Sequence, residues 1–201
     1  MHFFLFFFDT KQTKKGLLIM SFLDVDGLKL IPQFVTPEEE QELLNQLDKE
    51  EWNTSLSRRT QHYGHEYNYT EKDAKKEVPP IPPYCTFLVD RMLEQGILKE
   101  RPDQMIVNEY RPGQGIAPHV DNIKFFKDGI ASVSLGSDVM MDFINVNTPA
   151  LKKQGVLPRR SILSMHGVAR YKWRHGIAQR LKDPVCGKRG RRVSLTFRKM
   201  K

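Results

Sequence analysis

Arg192-Val193-Ser194-Leu195-Thr196-Phe197-Arg198 alternates strictly between apolar and polar residues. A period of two marks a strand with one buried face. Val193, Leu195 and Phe197 fall on one side, and Arg192, Ser194, Thr196 and Arg198 on the other. Two arginines on the inner face of a strand are expensive to bury unless they meet anions. Their Cα atoms stand about 20 Å apart at roughly 3.3 Å per residue, and inward-leaning side chains bring both onto a small dianion lying between them. An edge strand with solvated arginines is the other reading of the same stretch.

Working outward, short β-type runs separated by Gly and Pro are predicted at 105–110, 116–120, 130–135, 139–144, 161–165 and 170–173, with 192–198 the last. Two amphipathic helices precede them. Thr36-Pro37-Glu38-Glu39 combines a capping threonine, a proline at the first helical position and a capping-box glutamate. Leu43, Leu44 and Leu47 then form an apolar stripe running on to Trp52. The second helix is predicted over 84–95, with Phe87, Leu88 and Met92 inward and Gly96 ending it. Val78-Pro79-Pro80-Ile81-Pro82-Pro83 between them cannot be helical. The pattern predicts a mainly β protein, an antiparallel sandwich or barrel, with flanking helices on one side.

At 201 residues the chain fits one domain, expected over residues 20–201. Residues 1–19, with the run Phe3-Phe4-Leu5-Phe6-Phe7-Phe8, have no preceding basic residue and no small-residue cleavage pattern, so they predict a disordered extension rather than a secretory signal. No apolar run reaches the roughly 18 to 20 residues of a membrane helix. Cys85 and Cys186 form no CxxC pair, which argues against a disulfide scaffold or a thiolate zinc site and for a reducing, intracellular setting in cytoplasm or nucleus. The formal charge of +8 is uneven: residues 152–201 hold 16 Lys plus Arg against one acid, Asp183, a balance of +15. Residues 1–151 hold 16 bases and 23 acids, a balance of −7. Such asymmetry suggests a polyanionic partner.

Pro118-His119-Val120-Asp121 places an imidazole and a carboxylate at i and i+2, on one face of a strand. These are two thirds of a facial triad that binds ferrous iron and leaves coordination positions open. His175, in Trp173-Arg174-His175-Gly176-Ile177, and His166 are the candidates for the third ligand, with His175 favoured because it ends a predicted strand.

HxD, a distant histidine and a C-terminal RxxxxxR strand, in this order, resemble the AlkB family of iron(II)/2-oxoglutarate dioxygenases. Further blocks over residues 30–199 are similar: Asn108-Glu109-Tyr110, Pro112-Gly113-Gln114-Gly115-Ile116, Ser134-Leu135-Gly136-Ser137, Met141-Asp142-Phe143 and Pro158-Arg159-Arg160-Ser161. The resemblance implies a double-stranded β-helix (jelly-roll) core over about 104–200, holding Fe(II) through His119, Asp121 and His175. It implies that Arg192 pairs with the distal carboxylate of 2-oxoglutarate, supported by Asn108 and Tyr110, with Arg198 near the proximal one. Ser194 stands where the founding bacterial enzyme has Asn. With O2 as the other co-substrate, oxidation of a carbon on a base nitrogen releases an aldehyde and restores the base, whereas oxidation of a carbon-bound carbon leaves a stable alcohol.

Arg58-Arg59-Thr60-Gln61-His62-Tyr63-Gly64-His65-Glu66-Tyr67-Asn68-Tyr69 lies before the barrel. With every second residue on one face, Tyr63, His65, Tyr67 and Tyr69 form an aromatic surface beside Arg59, suited to stacking a single-stranded or flipped base. The resemblance makes residues 56–72 a nucleotide-recognition flap, with Arg59, Tyr63, Tyr67 and Tyr69 as substrate contacts; a hairpin packed on the barrel is the alternative. Lys188, Arg189 and Arg191 are expected to grip phosphates, or to belong to a solvated loop. The blocks look closest to the AlkB domains of tRNA wobble-uridine hydroxylases, without their fused RNA-binding and methyltransferase domains. The expectation is a monomeric oxygenase without membrane association, acting on alkylated bases in DNA or RNA, as in DNA repair or RNA modification. The alternatives are a wobble-uridine hydroxylase with a separate RNA-binding partner, a protein-directed oxygenase, and a non-catalytic binding module.

Overall fold

The computed structural model describes residue 22, residues 24–68, residue 71 and residues 73–201. The expected extension over residues 1–19 lies outside them. The larger sheet has the order β1 (Leu28–Ile31), β10 (Ser161–Met165), β7 (Ile130–Leu135), β14 (Arg192–Arg198), β5 (Gln104–Tyr110), β2 (Thr60–Tyr63). Every neighbouring pair in it is antiparallel. The smaller sheet runs β6 (Ile116–His119), β11 (Trp173–Ile177), β8 (Val139–Asn145), β9 (Lys152–Leu157), also antiparallel throughout. Two hairpins, β3 (His65–Asn68) with β4 (Asp73–Glu77) and β12 (Lys182–Asp183) with β13 (Gly187–Lys188), complete the strands. The result is a jelly roll, mainly β with flanking helices.

The helices pack on the outer face of the larger sheet. In α1 (Pro37–Lys49) the Thr36 hydroxyl accepts from the Glu39 amide at 3.1 Å while the Glu39 carboxylate accepts from the Thr36 amide at 2.9 Å. This reciprocal cap stabilises the helix start by about 1 kcal/mol. Glu39 also takes the Arg91 guanidinium at 2.6 Å, joining α1 to α2 (Thr86–Glu94). Leu43 and Leu47 of α1 and Leu88 and Met92 of α2 pack against Val107, Val133, Leu195 and Phe197 of the sheet. Each such side chain contributes about 1.5–3 kcal/mol on burial. A second core lies between the sheets, where Ile130, Leu163 and Tyr110 meet Met141, Phe143 and Trp173.

Three local expectations change. Residues 170–173 were expected as a strand, but α3 (Gly167–Lys172) occupies this stretch and β11 begins at Trp173. Ala169 and Arg170 are both buried, which a half-buried strand does not allow for consecutive residues. The edge strands β1 and β9 add to the predicted set; Lys152-Lys153-Gln154 carries no apolar alternation because that half of β9 is largely solvated. The aromatic run breaks at Gly64, whose φ of 76° is left-handed and where a Cβ would lie 1.8 Å from the Asp103 carbonyl oxygen. β2 ends before that glycine and β3 starts after it, so Tyr63 and Tyr67 do not share a face.

Candidate active site

Strand pairing assembles the site. β6 and β11 run antiparallel with His119 directly opposite His175, and their rings stand 4.5 Å apart between centroids. Asp121 follows two residues on, so its carboxylate and the two imidazoles place one ligand atom each within 4.8 Å of one another. His119 Nδ1 lies 2.9 Å from the Ala117 carbonyl oxygen, to which only an Nδ1–H can donate. That tautomer leaves Nε2 as a lone-pair donor. His175 is driven down to about 3 by burial, against the opposing charge of Asp121, so its ring is neutral. Burial pushes the Asp121 carboxyl up, but the positive charge around it, Arg198 foremost, outweighs burial and holds the group well below the usual carboxylate range.

Whether these residues fit a metal is tested by Asp121 itself. Its Oδ1 accepts from Arg198 Nη2 at 2.7 Å, but its buried Oδ2 has no hydrogen-bond partner and lies 3.6 Å from His175 Nε2. A buried carboxylate oxygen without a donor is costly. A divalent cation facing Oδ2 and the two imidazoles removes that cost, so the donor set fits ferrous iron.

Arg170, within a stretch expected as a strand, was given no role at the site. It is 2% exposed, and its guanidinium donates to the carbonyl oxygens of Asp121 at 2.8 Å and Asn122 at 3.4 Å. Burial lowers its pKa while Asp121 opposes that. An arginine held by two carbonyls fixes the main chain that carries the carboxylate. The residue was hidden because its stretch was read as a strand.

Two spaces meet at the triad. A narrow cavity between the sheets is lined by Asn108, Tyr110, His175, Arg192, Ser194 and Arg198, among others. Arg192 is 3% exposed, donates to the Ser134 hydroxyl at 2.9 Å, lies 5.3 Å from the Tyr110 ring centroid, and has no carboxylate partner among the described residues. The second space is an open cleft of about 450 Å³ bounded by Arg58, Tyr67, His119, Asp121, Asn122 and Phe126. The Tyr67 and Phe126 rings stand 6.1 Å apart in it.

The predicted substrate residues divide. Tyr67 reaches the cleft. Tyr63 does not: it is 8% exposed, sits in the helix-side core, and donates to the Gln61 side chain at 3.2 Å. Arg59 also points away, binding Glu109 at 2.5 Å and lying 4.4 Å over the Trp52 ring. Tyr69 lies outside the described residues. Strand parity explains the division. Thr60 pairs with Asn108, so Arg58, two residues before Thr60, shares its side and donates to Asn108 Oδ1 at 2.9 Å. The odd-numbered residues from Arg59 to Tyr63, before the break at Gly64, face the helices. A glycine within an otherwise alternating run was the available signal for the break.

The basic loop is also redirected. Arg189 is 5% exposed and clamps Asp183 at 2.7 Å together with Arg180 at 2.6 Å, while Arg191 holds Glu109 at 2.6 Å and Asp48 at 2.5 Å. Arg189 is buried in its clamp and Arg191 is tied to the buried Glu109, while Lys188 stays exposed.

A jelly roll with two histidines and an aspartate converging between its sheets, beside a buried arginine lacking a carboxylate, defines a non-haem iron oxygenase with a dicarboxylate co-substrate. Residues 51–198 match the 2OG-Fe(II) oxygenase superfamily, and the chain belongs to it as a member of its AlkB family. It is 35% identical to the tRNA (carboxymethyluridine(34)-5-O)-methyltransferase alkbh8 of Xenopus tropicalis, over 87% of this chain and 32% of that one. It thus spans about a third of that relative's length. It is 33% identical to the DNA N6-methyl adenine demethylase of Caenorhabditis elegans, over 88% of this chain and 60% of that protein. Among solved structures, that of OsALKBH1 superposes with a TM-score of 0.66 at 18% identity, covering 86% of this chain and 96% of the other, a likeness of fold. Membership implies Fe(II), 2-oxoglutarate and O2. No helix among the described residues is long and apolar enough to cross a membrane.

Proposed function

We propose that this chain oxidises alkyl groups on nucleobases of a nucleic acid, dealkylating them where the oxidised carbon sits on nitrogen and hydroxylating them where it sits on carbon. The observation that carries the reading is the opening of the triad into a cleft walled by Tyr67 and Phe126. Bound iron, with 2-oxoglutarate and O2, supplies the oxidising power for C–H hydroxylation. His119 Nε2, His175 and Asp121 Oδ2 hold it. Arg192 binds the distal carboxylate of 2-oxoglutarate in a charge-assisted pair, with Tyr110 and Asn108 shaping the cavity and Arg198 beside the proximal carboxylate. Tyr67 presents apolar ring surface to a planar base, with the buried Phe126 ring packed beside it, and such stacking is worth about 1–3 kcal/mol per base. Within this reading, RNA is favoured by the similarity to about a third of a relative named for carboxymethyluridine 34 of tRNA.

The test is turnover of 2-oxoglutarate to succinate by the full chain with ferrous iron, on methylated single-stranded DNA and RNA and on wobble-modified tRNA. Mass spectrometry of the nucleosides separates methyl loss from oxygen gain. Succinate formation coupled to one of these substrates is expected. His119→Ala is expected to lower it by more than the roughly 100-fold that loss of an outer-shell group costs. Full activity in that variant, or no coupled turnover on any of these substrates, rejects the proposal.

A further inference from the structure

A second cavity, of about 350 Å³, opens on the far side of the wall that bounds the cleft. Lys99, Lys127, Lys199 and Lys201 line it, together with His166. The wall consists of two short segments held together: Phe126 bridges Met200, the Lys127 amide donates to the Lys199 carbonyl at 2.9 Å, and the Lys201 amide donates to the Phe125 carbonyl at 2.9 Å. Neighbouring residues on each segment serve the two sides. Phe126 and Arg198 line the cleft, whereas Lys127 and Lys199 line the cavity, as alternation along extended chain requires.

The lysines are available. Lys127 pairs with Glu100 at 2.7 Å and Lys199 with Asp103 at 2.7 Å, with all four side chains between 32% and 54% exposed. Pairs of this kind are worth about 0–1 kcal/mol and exchange readily for another anion. Lys99 and Lys201 are exposed and form no ion pair among the described residues. The acids lining the cavity are Glu100 and Asp128, and Asp103 pairs with Lys199 beside it, so four cations meet three anions. His166, the other candidate for the third metal ligand, sits here; its Nε2 donates to the Ile97 carbonyl at 2.9 Å. The loop expected to hold phosphates, over residues 182–191, has its arginines committed to Asp183, Glu109 and Asp48. The lysine cavity, by contrast, adjoins the cleft.

We infer that this cavity binds the phosphodiester backbone of the strand whose base enters the cleft. From Arg198 at the metal to Lys201 is about 10 Å along extended chain at roughly 3.3 Å per residue, the scale of a nucleotide or two of flanking strand. The inference rests on the nucleic-acid reading of the site. Phosphate contacts by lysine confer affinity and salt dependence without sequence preference.

The experiment is fluorescence anisotropy of a labelled single-stranded RNA and a DNA of the same sequence, titrated with the full chain at a series of salt concentrations. For Lys99→Ala/Lys201→Ala, affinity at low salt is expected to fall about tenfold, and the log–log salt slope to flatten by about 1.4, at roughly 0.7 per phosphate contact on a single strand. Lys127→Ala alone is expected to flatten it by about half as much. Lys182→Glu, on the hairpin at the other end of β14, is expected to leave the slope unchanged. Wild-type slopes in both lysine variants overturn the inference while leaving the nucleic-acid reading intact, and an equal loss in Lys182→Glu overturns it as well. If the wild-type chain shows no salt-dependent binding to either strand, the nucleic-acid reading fails and the inference with it.

Discussion

The two faces of the larger sheet each bury a carboxylate among arginines, with opposite outcomes. On the helix side Glu109, 2% exposed, accepts from Arg59 Nε at 2.5 Å, Arg59 Nη2 at 2.9 Å and Arg191 Nε at 2.6 Å. Burial pushes its pKa up, but the two arginines win and hold it down. On the inner side Asp121 shares Arg198 and leaves Oδ2 bare, while Nε of Arg198 and Nε of Arg170 are also buried without partners. The helix-side cluster is closed; the inner one is short of a ligand. Buried charge by itself therefore does not distinguish scaffold from site; among the described residues a buried carboxylate oxygen left without a donor occurs at Asp121 alone.

The contrast breaks most visibly at Glu109. Glu109→Ala is expected to destabilise the fold by about 3 kcal/mol, the low end for breaking a buried pair because Arg59 and Arg191 retain contact with water. Urea midpoints check this, and turnover per folded molecule should stay near wild type. A variant that folds normally but loses turnover would place Glu109 with the site instead.

Arg170 tests the inner side. Arg170→Lys keeps the charge but loses the fork across two carbonyls, and is expected to weaken binding of manganese(II), as a stand-in for iron, by about 10- to 100-fold. Calorimetry on the metal-free protein reads this directly, and unchanged affinity would leave Arg170 a purely structural group.

The smallest effect belongs to His62, on the strand between the two faces. Its Nδ1 accepts the Tyr67 amide at 3.0 Å, and burial lowers it to about 4, below the 6.5 of the unfolded chain. As pH falls the unfolded chain binds the proton first, so stability is complete above 6.5 and erodes between 6.5 and 4. About 2 kcal/mol should be lost by pH 5, a difference that His62→Gln removes. Equal pH dependence in both proteins would refute this.

The contrast also shows what the sequence could carry. The His119-Val120-Asp121 spacing, the capping box at Thr36 and the alternation of 192–198 were legible because each depends on local geometry. Which side a residue of 58–67 faces was not, since it depends on where Gly64 resets the strand and on the Thr60–Asn108 register, a contact between distant segments. Arg58 and Arg59 look alike in sequence, yet one joins the cleft and the other the scaffold. The charge excess at the C-terminus overstates the free positive charge for the same reason. Composition counts arginines but not the distant Asp48 and Glu109 that neutralise them.

β14 lies between β7 and β5, paired along both edges. A slip of one residue would exchange its faces, driving Arg192 and Arg198 among the leucines of α1 and α2 and turning Phe197 toward the metal. Misaligned versions of this strand are thereby penalised as the chain folds, before any co-substrate is present. The two arginines thus proofread the alignment of the strand they belong to, so that, on the proposed function, a substitution aimed at the co-substrate also removes a safeguard against misfolding.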